Sequence, residues 1–236
     1  MGKIISHKRQ QQIWEREHKK PYIFLTIDSN EPSGGVVLFW NWLKNRNKTI
    51  DSLRGIEMGC GKGRNSIWLA QQGANMDAFD FSKAAVLEAR KRAKIAGVKD
   101  KVNFIVHDAI KSWPFESGAF DFAIDCFTSP DIETFTGRSF ARDEFVRVLK
   151  PQGYLLVYTL STDDEFHKEM LRESPAAEKN SFFYPKTGKF EKIFDQKELM
   201  EFYKGLNLIE ERRMEKRCGF FGKDYNCRDF WVIFQK

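Results

Sequence analysis

The sequence predicts an α/β protein: a doubly wound, mostly parallel seven-stranded sheet with helices on both faces and an antiparallel strand near the C-terminus. Three observations predict it. Short apolar runs alternate with helix-patterned segments from about residue 51 to residue 160, and such alternation builds parallel sheets covered on both faces. The run at 154–160 is apolar along nearly its whole length, as a strand buried on both faces must be. Two last strand-like runs, 206–211 and 230–234, are separated by Gly219, Gly222 and Asn226, which reads as a hairpin-like ending and supplies the antiparallel strand.

The elements follow in order. A polar helix is expected over 6–19, broken by Pro21. Glu31 to Gly35 reads as a turn, followed by an apolar stretch at 36–43 and the basic run Lys44, Arg46, Lys48. Residues 53–58 form a first strand. A helix over 65–72 stops at Gly73. Residues 75–81 form a second strand, and Ser82 caps a long helix ending at Gly97. Strands at 102–107 and 120–126 follow. The helix at 140–149 stops at Pro151. Residues 161–194 read as an irregular insertion, after which Asp195 caps a helix, with Glu198 completing a capping box. The expected organisation is an N-terminal helical cap over 1–50 and a core over 51–236 interrupted at 161–194.

Length and composition narrow the function classes. The chain has 236 residues, with 42% hydrophobic and 31% charged, which excludes a disordered or collagen-like chain. The net charge of +6 permits an anionic partner without demanding one. The basic stretch 83–101 reads as a solvated face, and no nucleic-acid-binding module is recognisable. The longest charge-free apolar stretch, 32–43, is far shorter than the ~20 residues of a membrane span. Residues 1–20 lack the apolar core of a secretory signal. Cys60, Cys126, Cys218 and Cys227 show no metal spacing, so free thiols in the cytoplasm are expected, with a Cys218–Cys227 pair as a minor alternative. No metal site is expected; Asp163, Asp164, Glu165 and His167 lack the spacing of converging ligands.

The most informative stretch is Glu57-Met58-Gly59-Cys60-Gly61-Lys62-Gly63-Arg64-Asn65-Ser66. A strand runs through three alternating glycines into a helix, the place where open α/β sheets bind ligands. A dinucleotide fingerprint needs Gly or Ala at position 64, which is Arg. A phosphate-binding P-loop is excluded because its Lys-Ser/Thr ending is absent.

The G-x-G-x-G turn behind Glu57 resembles motif I of class I S-adenosylmethionine-dependent methyltransferases. Three further stretches resemble that family's motifs, in order and at successive strand ends: Phe79-Asp80-Phe81-Ser82, Val106-His107-Asp108-Ala109, and 120–127 with the 144–154 approach to the fifth strand. In that approach Gln152 replaces the family's first Gly. The resemblance implies a Rossmann-like methyltransferase fold and S-adenosylmethionine as cofactor, with S-adenosylhomocysteine as product. It places Asp80 on the ribose hydroxyls, and Asp108 and the Ala109 amide on the adenine edge, with Phe81 as an apolar wall. It places Glu57, Gly59, Cys60, Gly61, Asn65 and Cys126 around the rest of the cofactor. The Gly-Lys-Gly-Arg-Asn-Ser turn, the Trp-Leu-Ala helix and Trp14 are similar to the small-molecule branch near tellurite-resistance and thiopurine methyltransferases.

The resemblance names neither the acceptor nor a catalytic residue, and oligomeric state is not legible. The expected reaction is methyl transfer to an O, N or S atom of a small molecule. RNA or protein methylation stays open but disfavoured, because residues 125–128 read Asp-Cys-Phe-Thr rather than Asn/Asp-Pro-Pro-Tyr/Phe. A non-catalytic S-adenosylmethionine-binding protein is the other alternative. Residues 1–30 and 161–194 are the expected substrate lid, carrying Trp14, Tyr22, Phe183 and Tyr184, with Phe127 beside them. Of the histidines, His7 and His18 are expected at the surface; His167, in the lid, is open to a base role but reads first as a solvated surface histidine; and His107 is expected to point away along its strand.

Overall fold

The computed structural model describes residues 4–21, 25–46 and 53–236. Tyr22, Lys48 and the expected boundary near residue 50 lie outside the described residues. Among the described residues no helix is long and apolar enough to cross a membrane.

Helix α1 (His7–Lys19) starts where the Ser6 hydroxyl accepts from the Arg9 N–H. Helix α2 (Gly34–Lys44) follows. Then β1 (Arg54–Met58), α3 (Arg64–Gln71), β2 (Asn75–Asp80), α4 (Lys83–Ile95), β3 (Val102–Val106) and β4 (Phe120–Cys126) alternate as expected. Ser82 caps α4 by accepting from the Ala85 N–H at 3.1 Å. Helix α5 (Phe135–Val148) begins earlier than the expected residue 140, because Thr134 caps it by accepting from the Gly137 N–H. Strand β5 spans Leu149–Leu160.

The seven strands of the main sheet run β3-β2-β1-β4-β5-β9-β8. The first five are parallel, and β9 (Lys223–Gln235) alone runs antiparallel to β5 and to β8 (Asn207–Phe220). Alternation across the pleat sends successive side chains to opposite faces. Tyr154, Leu156 and Tyr158 of β5 join one core layer with α2, α3 and α4, and Leu155 and Val157 join the other with α5 and α7. Helix α2 packs into a core layer: Val36, Phe39 and Trp40 are fully buried, and the Trp231 indole donates to the Gly35 carbonyl at 2.8 Å.

Two expectations need correction. Residues 161–194 are not irregular. They fold into α6 (Glu165–Glu173) and a two-stranded sheet of β6 (Ser181–Phe183) and β7 (Phe190–Lys192), over a third apolar cluster centred on Phe166, Phe182 and Tyr184. The closing strands are also far longer than read. Gly219 and Asn226 lie inside the ladder, and the turn is only Phe221-Gly222, at φ 52° and 82°. Two successive positive-φ residues are what a tight hairpin turn requires. Helix α7 (Gln196–Phe202) is capped by Asp195 as expected, but the box is half formed. The Glu198 carboxylate reaches Lys192 and Asn180 instead, because a buried ammonium needs it more than an exposed backbone N–H does.

The strand order reverses between β1 and β4, and the pairing there is tight. A Cβ at Gly55 would sit 2.2 Å from the Phe122 ring and 2.8 Å from the Met76 sulfur. Gly55→Ala is therefore expected to lower unfolding free energy by about 1–3 kcal/mol, read by urea denaturation; unchanged stability would mean that the sheet tolerates the added methyl.

Candidate active site

The site opens where β1 and β4 end, and it is built around Glu57. This carboxylate is 2% exposed at the end of β1. It accepts from the Asn65 amide at 2.8 Å and from the Ser66 hydroxyl, both in the first turn of α3. Burial pushes its pKa up, and those two bonds pull against that rise. Asn65 passes the tie onward, its Oδ1 accepting from the Ser33 N–H at 2.8 Å. Glu57 thus joins β1, α3 and the start of α2, rather than the amides of the glycine turn.

The turn itself needs glycine for two reasons. Gly59 and Gly61 sit at φ 64° and 52°, a region L residues rarely occupy. A Cβ on Gly59 would also strike the Thr128 side chain at 2.3 Å. At Gly61 a Cβ would meet only the His18 ring, at 3.3 Å, and would otherwise project into the cavity. Asp80, at the end of β2, holds this backbone in place. Its Oδ2 accepts from the Gly61 N–H at 3.0 Å and its Oδ1 from the Ser82 N–H at 2.8 Å. Burial pushes the Asp80 carboxyl up, against the pull of His18 and the two N–H groups. An ionised carboxylate oxygen accepts twice, so each Asp80 oxygen keeps one acceptor position.

Asp108, at the end of β3, is already engaged by α1. Its Oδ2 takes the His7 imidazole at 2.8 Å and the Gln11 amide at 2.9 Å, and its Oδ1 accepts from the Ile110 N–H. The second His7 nitrogen meets Glu133 at 2.8 Å. The two carboxylates hold His7 up at about 9, so it is a cation at neutral pH. In return, and against the cost of burial, the His7 bond keeps Asp108 below its usual range. The expectation of a surface His7 is wrong. The expectation for His18 is wrong too: it is buried, stacked on Trp14 at 5.7 Å, and burial lowers its pKa. Both errors have one cause: α1 lies on the strand ends and its polar face is turned inward.

One cavity of about 960 Å³ collects these groups. All ten residues expected at the cofactor line it: Glu57, Gly59, Cys60, Gly61, Asn65, Asp80, Phe81, Asp108, Ala109 and Cys126. Cys60 and Cys126 are free, and burial pushes the Cys126 thiol up to about 12, so neither group is a poised nucleophile. His107 also lines the cavity, and its ring is edge-on to Phe79 at 5.7 Å.

The far wall comes from the β8–β9 hairpin, which sequence reasoning did not place at the site, and from the 161–194 insertion, which it read as a lid. Residues 214–220 of β8 line it with Cys227 and Asp229 of β9; within that run Met214, Lys216, Cys218 and Phe220 share one face of the strand. Cys218 and Cys227 are free thiols near each other on this wall, not a disulfide. The insertion adds Asp164, His167, Tyr184, Lys189 and Glu191. Lys189, 1% exposed, meets Asp131 at 2.8 Å and Glu191 at 2.7 Å. Burial, with Glu191 alongside, pushes Asp131 up to about 7 despite the ammonium. The expected surface position of His167 is a further error: it is 4% exposed, under the insertion.

Residues 56–153 match the family described as a methyltransferase domain. The ubiquinone/menaquinone biosynthesis C-methyltransferase UbiE of Cereibacter sphaeroides is 32% identical over 136 residues, covering 55% of this chain and 51% of that protein. The chain spans about half the length, or less, of the first curated relatives it matches. Among solved structures, a SAM-dependent methyltransferase from Methanosarcina mazei superposes with a TM-score of 0.71 at 24% identity, covering 83% of this chain and 96% of that one. The 1,6-didemethyltoxoflavin-N1-methyltransferase of Burkholderia thailandensis, with 1,6-didemethyltoxoflavin and S-adenosylhomocysteine bound, superposes at 0.68 and 13% identity, covering 100% and 92%. The fold is the Rossmann-like methyltransferase fold.

The His7 clamp carries a pH signature. His7 rises from 6.5 to about 9 in the folded protein, so its contribution is complete below pH 6.5 and is lost as pH passes through 9. Hydrogen exchange of the α1 amides, corrected for intrinsic rate, should lose protection near pH 9. In His7→Ala that step should vanish; a step surviving the substitution would assign it to another group.

Proposed function

We propose that this chain, which carries a methyltransferase domain over residues 56–153, transfers the methyl group of S-adenosylmethionine to an O, N or S atom of a small-molecule acceptor. One observation carries the reading. The glycine turn after β1 and the carboxylates ending β2 and β3 face a single cavity from adjacent strands.

The residues fit that cofactor. Gly61 leaves the cavity floor open where any side chain would fill it. Asp80 retains one acceptor position on each oxygen, which suits a vicinal diol. Phe81 and Ala109 offer an apolar slot next to Asp108, which keeps one free acceptor position on Oδ1. When bound, the cofactor supplies a methyl group already activated by positively charged sulfur. The protein's task is then to align the acceptor and exclude water. The rings of Trp14, Phe127 and Tyr158 serve the second purpose, and their π-faces suit a cation; the Phe127 and Tyr158 rings meet at 4.4 Å, tilted by 48°.

Helix α1 and the 161–194 insertion act as the substrate lid, together with the β8–β9 hairpin. The cavity they enclose has the dimensions of a small-molecule site, which favours this reading over RNA or protein methylation. The likeness to tellurite-resistance and thiopurine methyltransferases rests on the glycine turn and Trp14 and belongs to this reading as its finer form. A second reading, transfer to carbon, is favoured by the relative named as a quinone-pathway C-methyltransferase.

Calorimetric titration with S-adenosylhomocysteine tests the cofactor. Micromolar binding is expected for the wild type, with no binding of NADH. Asp80→Ala should weaken it about 10- to 100-fold, the range of a lost charge-assisted hydrogen bond. Asp80→Asn controls for folding. Equal affinity in wild type and Asp80→Ala would remove Asp80 from the site.

A further inference from the structure

The transfer leaves open which group receives the acceptor's proton. We propose that His167 is the general base of this site, and that the acceptor atom is one that carries a proton at neutral pH: a hydroxyl, phenol or enol. The proposal deepens the methyl-transfer reading and rests on it.

The geometry fixes the protonation pattern. His167 sits in the first turn of α6, its N–H held by the Asp164 capping carboxylate at 2.9 Å. Its ring nitrogen Nδ1 lies 3.1 Å from the Ser161 carbonyl oxygen. A carbonyl only accepts, so Nδ1 carries the hydrogen, and in the neutral ring Nε2 carries the lone pair. The ring lies against Phe166 and Phe182, with centroids at 5.8 and 5.9 Å, and lines the cavity. Among the described residues nothing partners Nε2. The ring is thus oriented by one nitrogen and open at the other, the arrangement a general base requires.

Two carboxylates lie close to the ring. Asp164 Oδ1 lies 3.4 Å from Nδ1. Asp229 of β9, 2% exposed, faces both His167 and Asp164, and burial pushes it up. The nearby cation Lys216 is spent on Asp229 at 2.9 Å, and the Tyr158 hydroxyl meets the same carboxylate at 3.5 Å. Cys227 adds a thiol beside Asp164, raised by burial and uncharged; Tyr184 adds a phenol, also raised by burial. The imidazolium would therefore face two carboxylates and one cation already paired. Asp164 is a positioning residue, acting through the ring.

The other histidines do not serve. His7 is already a cation between two carboxylates. His18 lies against Gly61, and His107 follows β3 beside Asp108, both at the cofactor end. His167 belongs to the opposite wall, made by the insertion and the hairpin.

In the step, His167 Nε2 takes the proton as the acceptor's X–H bond breaks. The freed pair forms the bond to the methyl carbon, and the carbon–sulfur pair stays on sulfur. The positive charge leaves sulfur and reappears on imidazolium, so the balance closes without a further reactant.

Three measurements test this. The first is nitrogen-15 NMR of the histidine rings in the cofactor-free protein, with His167 assigned from the signal lost in His167→Asn. It should show Nδ1 protonated and Nε2 bare; an Nε2–H tautomer overturns the proposal outright. The second is calorimetry with S-adenosylhomocysteine, which should give affinities within twofold for wild type and His167→Asn. Failure of both proteins to bind strikes the methyl-transfer reading, whereas the tautomer is read independently of it. The third is a panel of phenols, alcohols, enols, thiols and amines assayed with radiolabelled S-adenosylmethionine. Turnover of a phenol, alcohol or enol is expected. In His167→Asn its kcat should fall about 100-fold or more with KM little changed, and the acid limb of the wild-type kcat–pH profile should disappear. A kcat within fivefold of wild type, or a wild-type protein that binds cofactor yet methylates only amines or thiols or nothing in the panel, overturns it.

Discussion

Glu57 is the constraint on which the rest is built. A carboxyl group at 2% exposure is tolerable only when its oxygens are satisfied. Here the satisfaction comes from Asn65 and Ser66, which forces α3 to begin where it does. The three-glycine turn is the link between those two fixed points, and its left-handed residues are what a link so short demands. Asn65 then ties the N–H of Ser33, and α2 with it, to the same anchor. The turn is consequently rigid before any ligand arrives, and a preorganised backbone costs less to bind against.

The charged groups divide the cavity into two unlike halves. Toward the glycine turn, the carboxylates are held by backbone N–H groups and by α1 and keep acceptor positions open to the cavity. On the far wall, several titratable groups share few counter-ions: Lys189 with Asp131 and Glu191, Lys216 with Asp229, His167 with Asp164. The first half is built of backbone-bound carboxylates and the second of side-chain pairs. That asymmetry follows from topology, because the first half is made by the ends of parallel strands and the second by segments added to them.

The same division explains what the sequence revealed. The core elements were legible because their signals are local: apolar runs, glycines at strand ends, and caps such as Ser82 and Asp195. All ten expected cofactor residues lie in that portion and reach one cavity. The histidines were misplaced because their environments are distant in sequence. His7 meets Asp108 across 101 positions and Glu133 across 126, and no local pattern encodes that. The insertion looked irregular because its charges, read as solvated, are buried in pairs: Lys189 and Lys192 are each 1% exposed. The β8–β9 hairpin was read too short because β8 is mostly exposed and carries charge along its length, so its alternation does not separate an apolar face from a polar one.

The hairpin also bears on how such a protein diverges. Along residues 214–220 of β8, which line the cavity, side chains alternate between the two faces of the strand, and the strands are clamped by a two-residue turn. Side chains on this wall can be exchanged one at a time without disturbing the glycine turn or the parallel strands. A single-residue insertion or deletion within β8 would instead present the opposite set of side chains to the ligand. Substitution is the gradual route to a new acceptor on this wall, and a length change is the abrupt one.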